Sequence, residues 1–268
     1  MGDLGGFTLF AGPCVLEGPE RNLEIARGLQ SIGRDLGIPI TFKGSFDKAN
    51  RSRLKAHRGP GLGPGLDLLA QVGQETGMPL LTDIHEPSQA AIAAEVVDVL
   101  QIPAFLCRQT DLIVAAGETG KTINIKKGQW MAPEAMAGAV EKARNAGAEH
   151  VWVTERGTSF GYGDLVVDLR SFDRIREATG APVVFDGTHS VQQPGSAPDG
   201  SSGGNPGHIP ALVRGSVAAG CDGLFLEVHP DPTSAPSDGT NMLTLEALPQ
   251  LLNQVVAIRR VLADGVDS

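Results

Sequence analysis

Eight short β-rich apolar runs, each followed by an amphipathic or Ala-rich stretch and then a Gly or Pro break, predict a single-domain α/β fold, a (β/α)8 barrel of the TIM type. Two further observations bear on the βα reading and on the choice between that closed barrel and its main rival, an open doubly wound sheet. The 268 residues divided among eight units give about 33 residues each, close to the ~30 of a βαβ module. Polar residues also collect after nearly every strand, as on a barrel rim, instead of at one switch point, and no Gly-x-Gly-x-x-Gly follows the first strand.

In chain order the strand candidates are Phe7–Val15, Pro39–Ser45, Pro79–Ile84, Val97–Pro103, Thr122–Lys126, His150–Thr154, Pro182–Asp186 and Gly223–Val228. The clearest helices are Asn22–Leu36, Pro87–Ala94, Pro133–Ala146, His208–Ala219 and Leu245–Leu262. Pro133 suits a first helical position and Gly147 a C-terminal stop. No linker or charge block divides the chain, so residues 1–268 read as one catalytic barrel domain. The one long loop, residues 192–207, is rich in Gly, Ser and Pro and follows the seventh strand. It reads either as a disordered surface excursion or as a mobile lid over the rim, where barrel chemistry sits.

Composition narrows the function. Lys and Arg total 22 against 31 Asp and Glu, a net charge of −9, and only 12 residues are aromatic. Nucleic-acid binding needs a basic face and stacking platforms, so no nucleic-acid partner is expected. No apolar run approaches the ~20 residues of a membrane span. The start Met1-Gly2-Asp3-Leu4-Gly5-Gly6 has neither the basic beginning nor the apolar stretch of a signal peptide, so the expectation is a cytoplasmic protein with no membrane partner. Cys14, Cys107 and Cys221 are too few and too scattered for a disulfide framework.

The residues just after the strands carry the chemistry. They include Cys14 and Glu17; Lys43, Ser45, Lys48, Asn50, Arg51 and Ser52; Asp83 and His85; Gln101, Arg108 and Gln109; Asn124 and Lys126; Glu155 and Arg156; Asp186 and His189; and Glu227, His229 and Asp238. A net-acidic chain has thus gathered Lys43, Lys48, Lys126 and Arg156 at one end of its barrel, which points to a substrate with more than one phosphate or carboxylate. Barrel closure would make strands seven, eight and one neighbours, bringing Cys14, His189 and Glu227 face to face with Asp238 within reach. Thiolate, imidazole and carboxylates together suit a divalent Zn, Fe or Mn ion better than Mg or Ca. The spacing alone leaves Cys14 as a core thiol and His189 as a structural histidine equally open.

At these residues the sequence resembles the 3-deoxy-D-manno-octulosonate 8-phosphate synthases, in their metal-dependent branch. The matching segments are Ala11–Glu17, Phe42–Ser52, Leu81–Pro87, Gln101–Thr110, Asn124–Gln129, Thr154–Gly157, Phe185–His189 and Glu227–Pro232, spread over nearly the whole chain. The related synthase of the aromatic pathway carries a Lys-Pro-Arg-Thr type segment after strand two, whereas this chain reads Lys48-Ala49-Asn50-Arg51-Ser52. Cys14 stands where the metal-independent branch has Asn, and Ser237-Asp238-Gly239 also reads like the metal-dependent one.

The resemblance implies condensation of phosphoenolpyruvate with D-arabinose 5-phosphate and water to 3-deoxy-D-manno-octulosonate 8-phosphate and phosphate, a step toward lipopolysaccharide-type sugars. It implies that Lys43, Lys48, Lys126 and Arg156, with Gln101 and Arg108 nearby, hold phosphoenolpyruvate. Asn50, Arg51 and Ser52, beside Ser45, would hold the sugar phosphate, partly from a neighbouring subunit of a homotetramer. Cys14, His189, Glu227 and Asp238 match the metal ligands, and Asp83 and His85 are proton-handling candidates beside Lys48; no organic cofactor is implied. Three departures stand out: Arg53, Trp130, and Asn205-Pro206-Gly207-His208 where basic residues usually follow the Gly pair. Two other readings of the same pocket are a metal-dependent aldolase that releases no phosphate and a non-catalytic phosphosugar-binding protein.

Overall fold

The structure, a computed structural model, describes residues 6–51, 54–160, 163–196 and 203–264. Eight parallel strands follow one another around a closed barrel: β1 (Thr8–Gly12), β2 (Ile40–Lys43), β3 (Leu80–Asp83), β4 (Val99–Ile102), β5 (Thr122–Lys126), β6 (Val151–Glu155), β7 (Val183–Asp186) and β8 (Gly223–His229). Closure is made by β1 against β8, in register from Thr8 opposite Gly223 to Gly12 opposite Glu227. Every predicted strand is present; β1, β2, β3, β4 and β7 are shorter than their apolar runs, β5 matches its run, β6 is shifted by one residue and β8 extends one residue further, to His229.

Eight helices surround the barrel: α1 (Pro19–Leu36), α2 (Leu62–Thr76), α3 (Pro87–Ala94), α4 (Thr110–Gly117), α5 (Ala137–Asn145), α6 (Ser171–Thr179), α7 (Ile209–Ala218) and α8 (Leu248–Asp264). The segment expected as one helix from Pro133 opens instead with a tight 3-10 turn, Pro133–Met136, before α5. Helices α2, α4 and α6 went unread in the sequence: α2 starts Leu62-Gly63-Pro64-Gly65 with no capping side chain, and α4 spans only eight residues. Where signals were strong they held: α3 has Pro87 in its first turn and a capping box between Glu86 and Gln89.

Strand residues alternate between two cores. Outward side chains such as Leu9, Ala11, Leu100, Ile123, Ile125, Leu224 and Leu226 pack with the helices. Inward side chains Phe10, Leu81, Val99, Val184 and Phe225, with Trp152 against them, plug the barrel as a separate cluster. Two residues further along the same inward rows, the side chains become polar and charged: Asp83, Gln101, Asp186 and Glu227. Gly12 lets the ends of β1 and β2 meet, since a Cβ there would lie 2.0 Å from the Lys43 carbonyl oxygen.

The long loop after β7 is anchored at both ends. Gln192–Gln193 pairs antiparallel with Gly203–Gly204, and Asn205 then caps a short turn, Pro206–His208, by accepting the Gly207 N–H at 3.1 Å. Residues 197–202, the middle of the expected lid, lie outside the described residues, as do Ser52 and Arg53.

Candidate active site

A cavity of about 790 Å³ opens at the C-terminal ends of the strands. Its walls include Lys43, Lys48, Asn50, Arg51, Asp83, His85, Gln101, Lys126, Arg156, His189, Glu227 and Asp238, so the structure brings together most of the predicted site. Asp83, Gln101 and Glu227 lie two positions beyond the apolar plug on inward rows, and the others come from inward strand-end positions or from the segments just after the strands, where the barrel opens to solvent. Arg108 is not among them; it is exposed beyond the short Ala104–Leu106 turn, away from this chain's own cavity. Ser45 lies buried beside the wall, where its hydroxyl accepts a hydrogen bond from Lys48 Nζ at 2.9 Å.

Four cations meet in this space, two of them, Lys43 and Lys48, facing Glu227 Oε1. Lys43 Nζ donates to Glu227 Oε1 at 2.8 Å and to the Cys14 carbonyl at 2.7 Å. Burial alone would discharge Lys48, but Cys14, Glu227, Asp83 and Asp238 around it hold its ammonium above the usual lysine range. Lys126 pairs with buried Asp186 and sits 3.5 Å above the Phe225 ring. Burial nevertheless pulls its proton affinity below that of a free lysine. Arg156, also lowered by burial, donates through Nη2 to Gln192 Oε1 at 2.6 Å, while Nη1 is buried without a partner. An N–H left bare in a basic cavity is a docking point for an anion.

Beside the cations lies a compact set of donors. Cys14 Sγ is 3.0 Å from Asp238 Oδ2, and donor atoms of Cys14, Glu227 and Asp238 all lie within 4.8 Å of one another. His189 extends this set, with Nε2 at 3.6 Å from Glu227 Oε1. Its Nδ1 faces Asp186 Oδ2 at 2.7 Å, so the ring donates there and turns the lone pair of Nε2 toward the other donors. Asp186 is itself fixed, its Oδ1 accepting from the His189 and Thr188 backbone. Glu227 Oε2 is buried with no hydrogen-bond partner, and Asp238 holds φ at +52°, a strained left-handed conformation for a non-glycine. A bare carboxylate oxygen, a thiol pushed well above its ordinary pKa by burial and then by Asp238 and Glu227, and an imidazole of fixed tautomer fit a divalent cation of mixed N, O and S ligation.

Across the cavity, His85 Nε2 meets Asp83 Oδ2 at 3.1 Å, leaving His85 Nδ1 and Asp83 Oδ1 buried and unpaired. Asp83 is held far below the ordinary carboxylate range, because the His85 contact and the nearby Lys48 charge outweigh the cost of its burial. Arg51 donates to Ser237 Oγ and, through Nε, to the His57 carbonyl at 3.0 Å, which ties the loop after β2 to the loop carrying Asp238. Gln101 accepts from Asn124 Nδ2 at 2.9 Å, and Asn124 in turn accepts from Thr154 Oγ1 at 2.7 Å, a ladder across β4, β5 and β6. Sequence reading gave no role to Phe225, Gln192, Ser237 or Asp186. The period-two count backward from Glu227 would have found Phe225 facing inward; nothing local marks Gln192 or Ser237.

Fold and cavity together define a (β/α)8-barrel protein with a cation-lined cavity on its rim. A family model described as the DAHP synthetase I family matches residues 1–263, and the chain belongs to that family. A protein of Syntrophotalea carbinolica named 2-dehydro-3-deoxyphosphooctonate aldolase is 54% identical over 261 residues, covering 97% of this chain and 94% of the relative. Proteins of the same name from Koribacter versatilis and a Synechococcus strain are 52% and 51% identical, covering 96% and 99% of this chain and 93% of each relative. The resemblance to the 3-deoxy-D-manno-octulosonate 8-phosphate synthases seen in the motifs is therefore borne out at the level of the family.

Proposed function

We propose that this chain is a 3-deoxy-8-phosphooctulonate synthase: it joins phosphoenolpyruvate to D-arabinose 5-phosphate with water, giving 3-deoxy-D-manno-octulosonate 8-phosphate and inorganic phosphate. The observation that carries the reading is the convergence of Lys43, Lys48, Lys126 and Arg156 in one cavity with the bare Arg156 Nη1. Lys126 and Arg156 take the phosphate and carboxylate of phosphoenolpyruvate, and Gln101 lines the wall beneath it. Asn50 and Arg51 take the sugar phosphate at the mouth. With both anions fixed, C3 of the enol attacks the aldehyde carbon while water adds at C2; the resulting tetrahedral centre then expels phosphate. Lys48 and the Asp83–His85 pair face this reaction zone and are placed to hold or pass the protons it moves.

Cys14, His189, Glu227 and Asp238 would hold a divalent Zn, Fe or Mn ion. Such an ion, when bound, supplies Lewis acidity at the aldehyde or orients the reacting water. The product class fits lipopolysaccharide-type sugar synthesis in the cytoplasm by a homotetramer. Among the described residues no helix is long and apolar enough to cross a membrane.

The test is a coupled assay of phosphoenolpyruvate consumption and phosphate release with arabinose 5-phosphate and erythrose 4-phosphate in parallel. Stoichiometric phosphate release with the five-carbon sugar and little turnover with the four-carbon one is the expected result. Carbon-carbon bond formation without phosphate release would make the protein an aldolase of another kind, and phosphosugar binding without turnover would make it a binding protein.

A further inference from the structure

Behind the anion site, on the opposite face of the same two strands, lies a second pair of charges that the reaction does not touch. Successive strand residues point to opposite sides, and β5 and β6 pair with Lys126 opposite Thr154. The dipeptides Lys126-Lys127 and Glu155-Arg156 therefore place Lys126 and Arg156 inside the barrel and Lys127 and Glu155 outside it. Both outer residues are completely buried. Lys127 Nζ stands 3.6 Å from Glu155 Oε2 and reaches the carbonyls of Gly128 and Met131, both at 3.3 Å, and Thr158 Oγ1 at 3.1 Å. Glu155 Oε1 accepts the N–H of Gly157 at 2.7 Å, where the backbone turns at a φ of +89°.

A buried ion pair of this kind is a poor source of stability, since a well-packed apolar pair of similar volume serves as well or better. What it does here is geometric. The Glu155 carboxylate grips the backbone immediately after Arg156, and the Lys127 ammonium grips the turn immediately after Lys126. That turn presents Gln129 to the cavity and is tied to the next loop by the Ser159 N–H donating to the Gln129 carbonyl at 2.9 Å. Among the described residues Arg156 has only Gln192 as a hydrogen-bonding side-chain partner, through its Nη2, so its aim depends on the clamp behind it.

We propose that Lys127 and Glu155 are positioning residues that set the spacing of Lys126 and Arg156 for the phosphoenolpyruvate anion, an inference that rests on the substrate reading above. Neither residue touches substrate. The pair acts as one unit, so its loss affects the three-carbon anion selectively and leaves the sugar phosphate site at the other side of the mouth unaltered.

The experiment is titration calorimetry of phosphoenolpyruvate and of arabinose 5-phosphate into the wild type and the variants E155Q, K127M and K127M/E155Q, with steady-state KM and kcat on each. Each single variant is expected to weaken phosphoenolpyruvate about tenfold, mainly in KM, with arabinose 5-phosphate within about twofold. The double variant should be no worse than either single one. Thr158→Val removes one Lys127 acceptor at a half-buried site and covers the case in which a charge variant does not fold; it should weaken phosphoenolpyruvate about twofold to threefold. Folded variants with wild-type phosphoenolpyruvate affinity, or an equal loss for both substrates, would overturn the positioning role while leaving the substrate reading intact. A wild-type chain that binds no phosphoenolpyruvate would overturn the substrate reading, and this inference with it.

Discussion

Glu227 shows how one side chain can serve two neighbourhoods. Its Oε1 takes the Lys43 ammonium and faces His189 and Lys48, while Oε2 stays bare. Burial opposes its charge, yet Lys43, His189 and Lys48 keep it far below the ordinary carboxylate range. Asp186 does the same work one step back, orienting His189 and neutralising Lys126. Replacing Asp186 with Asn should leave the His189 tautomer unfixed and lower the affinity for a divalent metal by about 10–100-fold, read by competition with a chromogenic chelator; unchanged affinity would remove the orienting role. Asp83 offers a pH test. Its native pKa is depressed, so its charge stabilises the fold above the unfolded value of about 3.9, and that contribution is lost as pH falls toward the native one. In urea unfolding, the stability gap between wild type and Asp83→Asn should be full at pH 7 and shrink below about pH 4; a gap independent of pH would mean that the carboxylate is not charged in the native state. Lys43, Lys126 and Glu227 were legible in the sequence because strand ends advertise themselves. Asp186 looked like one more rim acid, since its use depends on a histidine three residues on turning back toward it.

At the scale of elements, the close meeting of β1 and β2 does most to shape the site. Gly12 brings the Pro13–Cys14 carbonyls onto Lys43, with Lys43 Nζ at 3.3 and 2.7 Å from them, and so couples a cation of the cavity to the Cys14 donor. Gly12→Ala forces a Cβ against the Lys43 carbonyl and should cost at least about 1–3 kcal/mol in denaturant unfolding. It should also weaken phosphoenolpyruvate, because Lys43 must move; normal stability with normal binding would show that the strands can separate freely. The strands were legible to within about three residues at each end, since each is a short buried apolar run, most of them ended by a charged residue. The helices were legible less evenly: α3 shows itself through its capping box, whereas α6 was missed although its apolar stripe is as pronounced as that of α1. Helix α6, Ser171–Thr179, carries Asp173, Arg174, Arg176 and Glu177 on nine residues and buries only four of them, and it is a helix chiefly because the barrel behind it offers Phe172 and Ile175 a place to pack. The turn at 205–208, which departs from the pattern of basic residues, is spent on capping α7's approach through Asn205. Any grip on phosphate from this loop has to come from elsewhere in it.

For the molecule as a whole, acidity and a cation-lined cavity coexist because the eight helices are balanced in charge and the excess carboxylates lie in the strands and connecting segments, while Lys43, Lys48, Lys126 and Arg156 gather at the rim. Phe105 and Trp130, stacked with ring centroids 6.0 Å apart and about half exposed, leave apolar surface beside the mouth, as does the exposed Leu54. Covering such surface fits the proposed homotetramer, and sedimentation at micromolar concentration should show one; a monomer there would refute it. Chelation should silence the enzyme reversibly, with activity returning on addition of a divalent metal; full activity in a chain freed of metal, checked by elemental analysis, would return Cys14 to a core thiol. Closure of β1 on β8 has one more consequence, in the order of synthesis. Cys14 leaves the ribosome among the first residues, and its partners His189, Glu227 and Asp238 are made only after seven strands are complete. Until the last strand arrives, β1 and β7 are open edges exposed to wrong pairing, and no cluster of donors exists for an ion to enter. Any ion held by those donors would thus be acquired only by the finished chain, and a chain halted before β8 would carry none away with it.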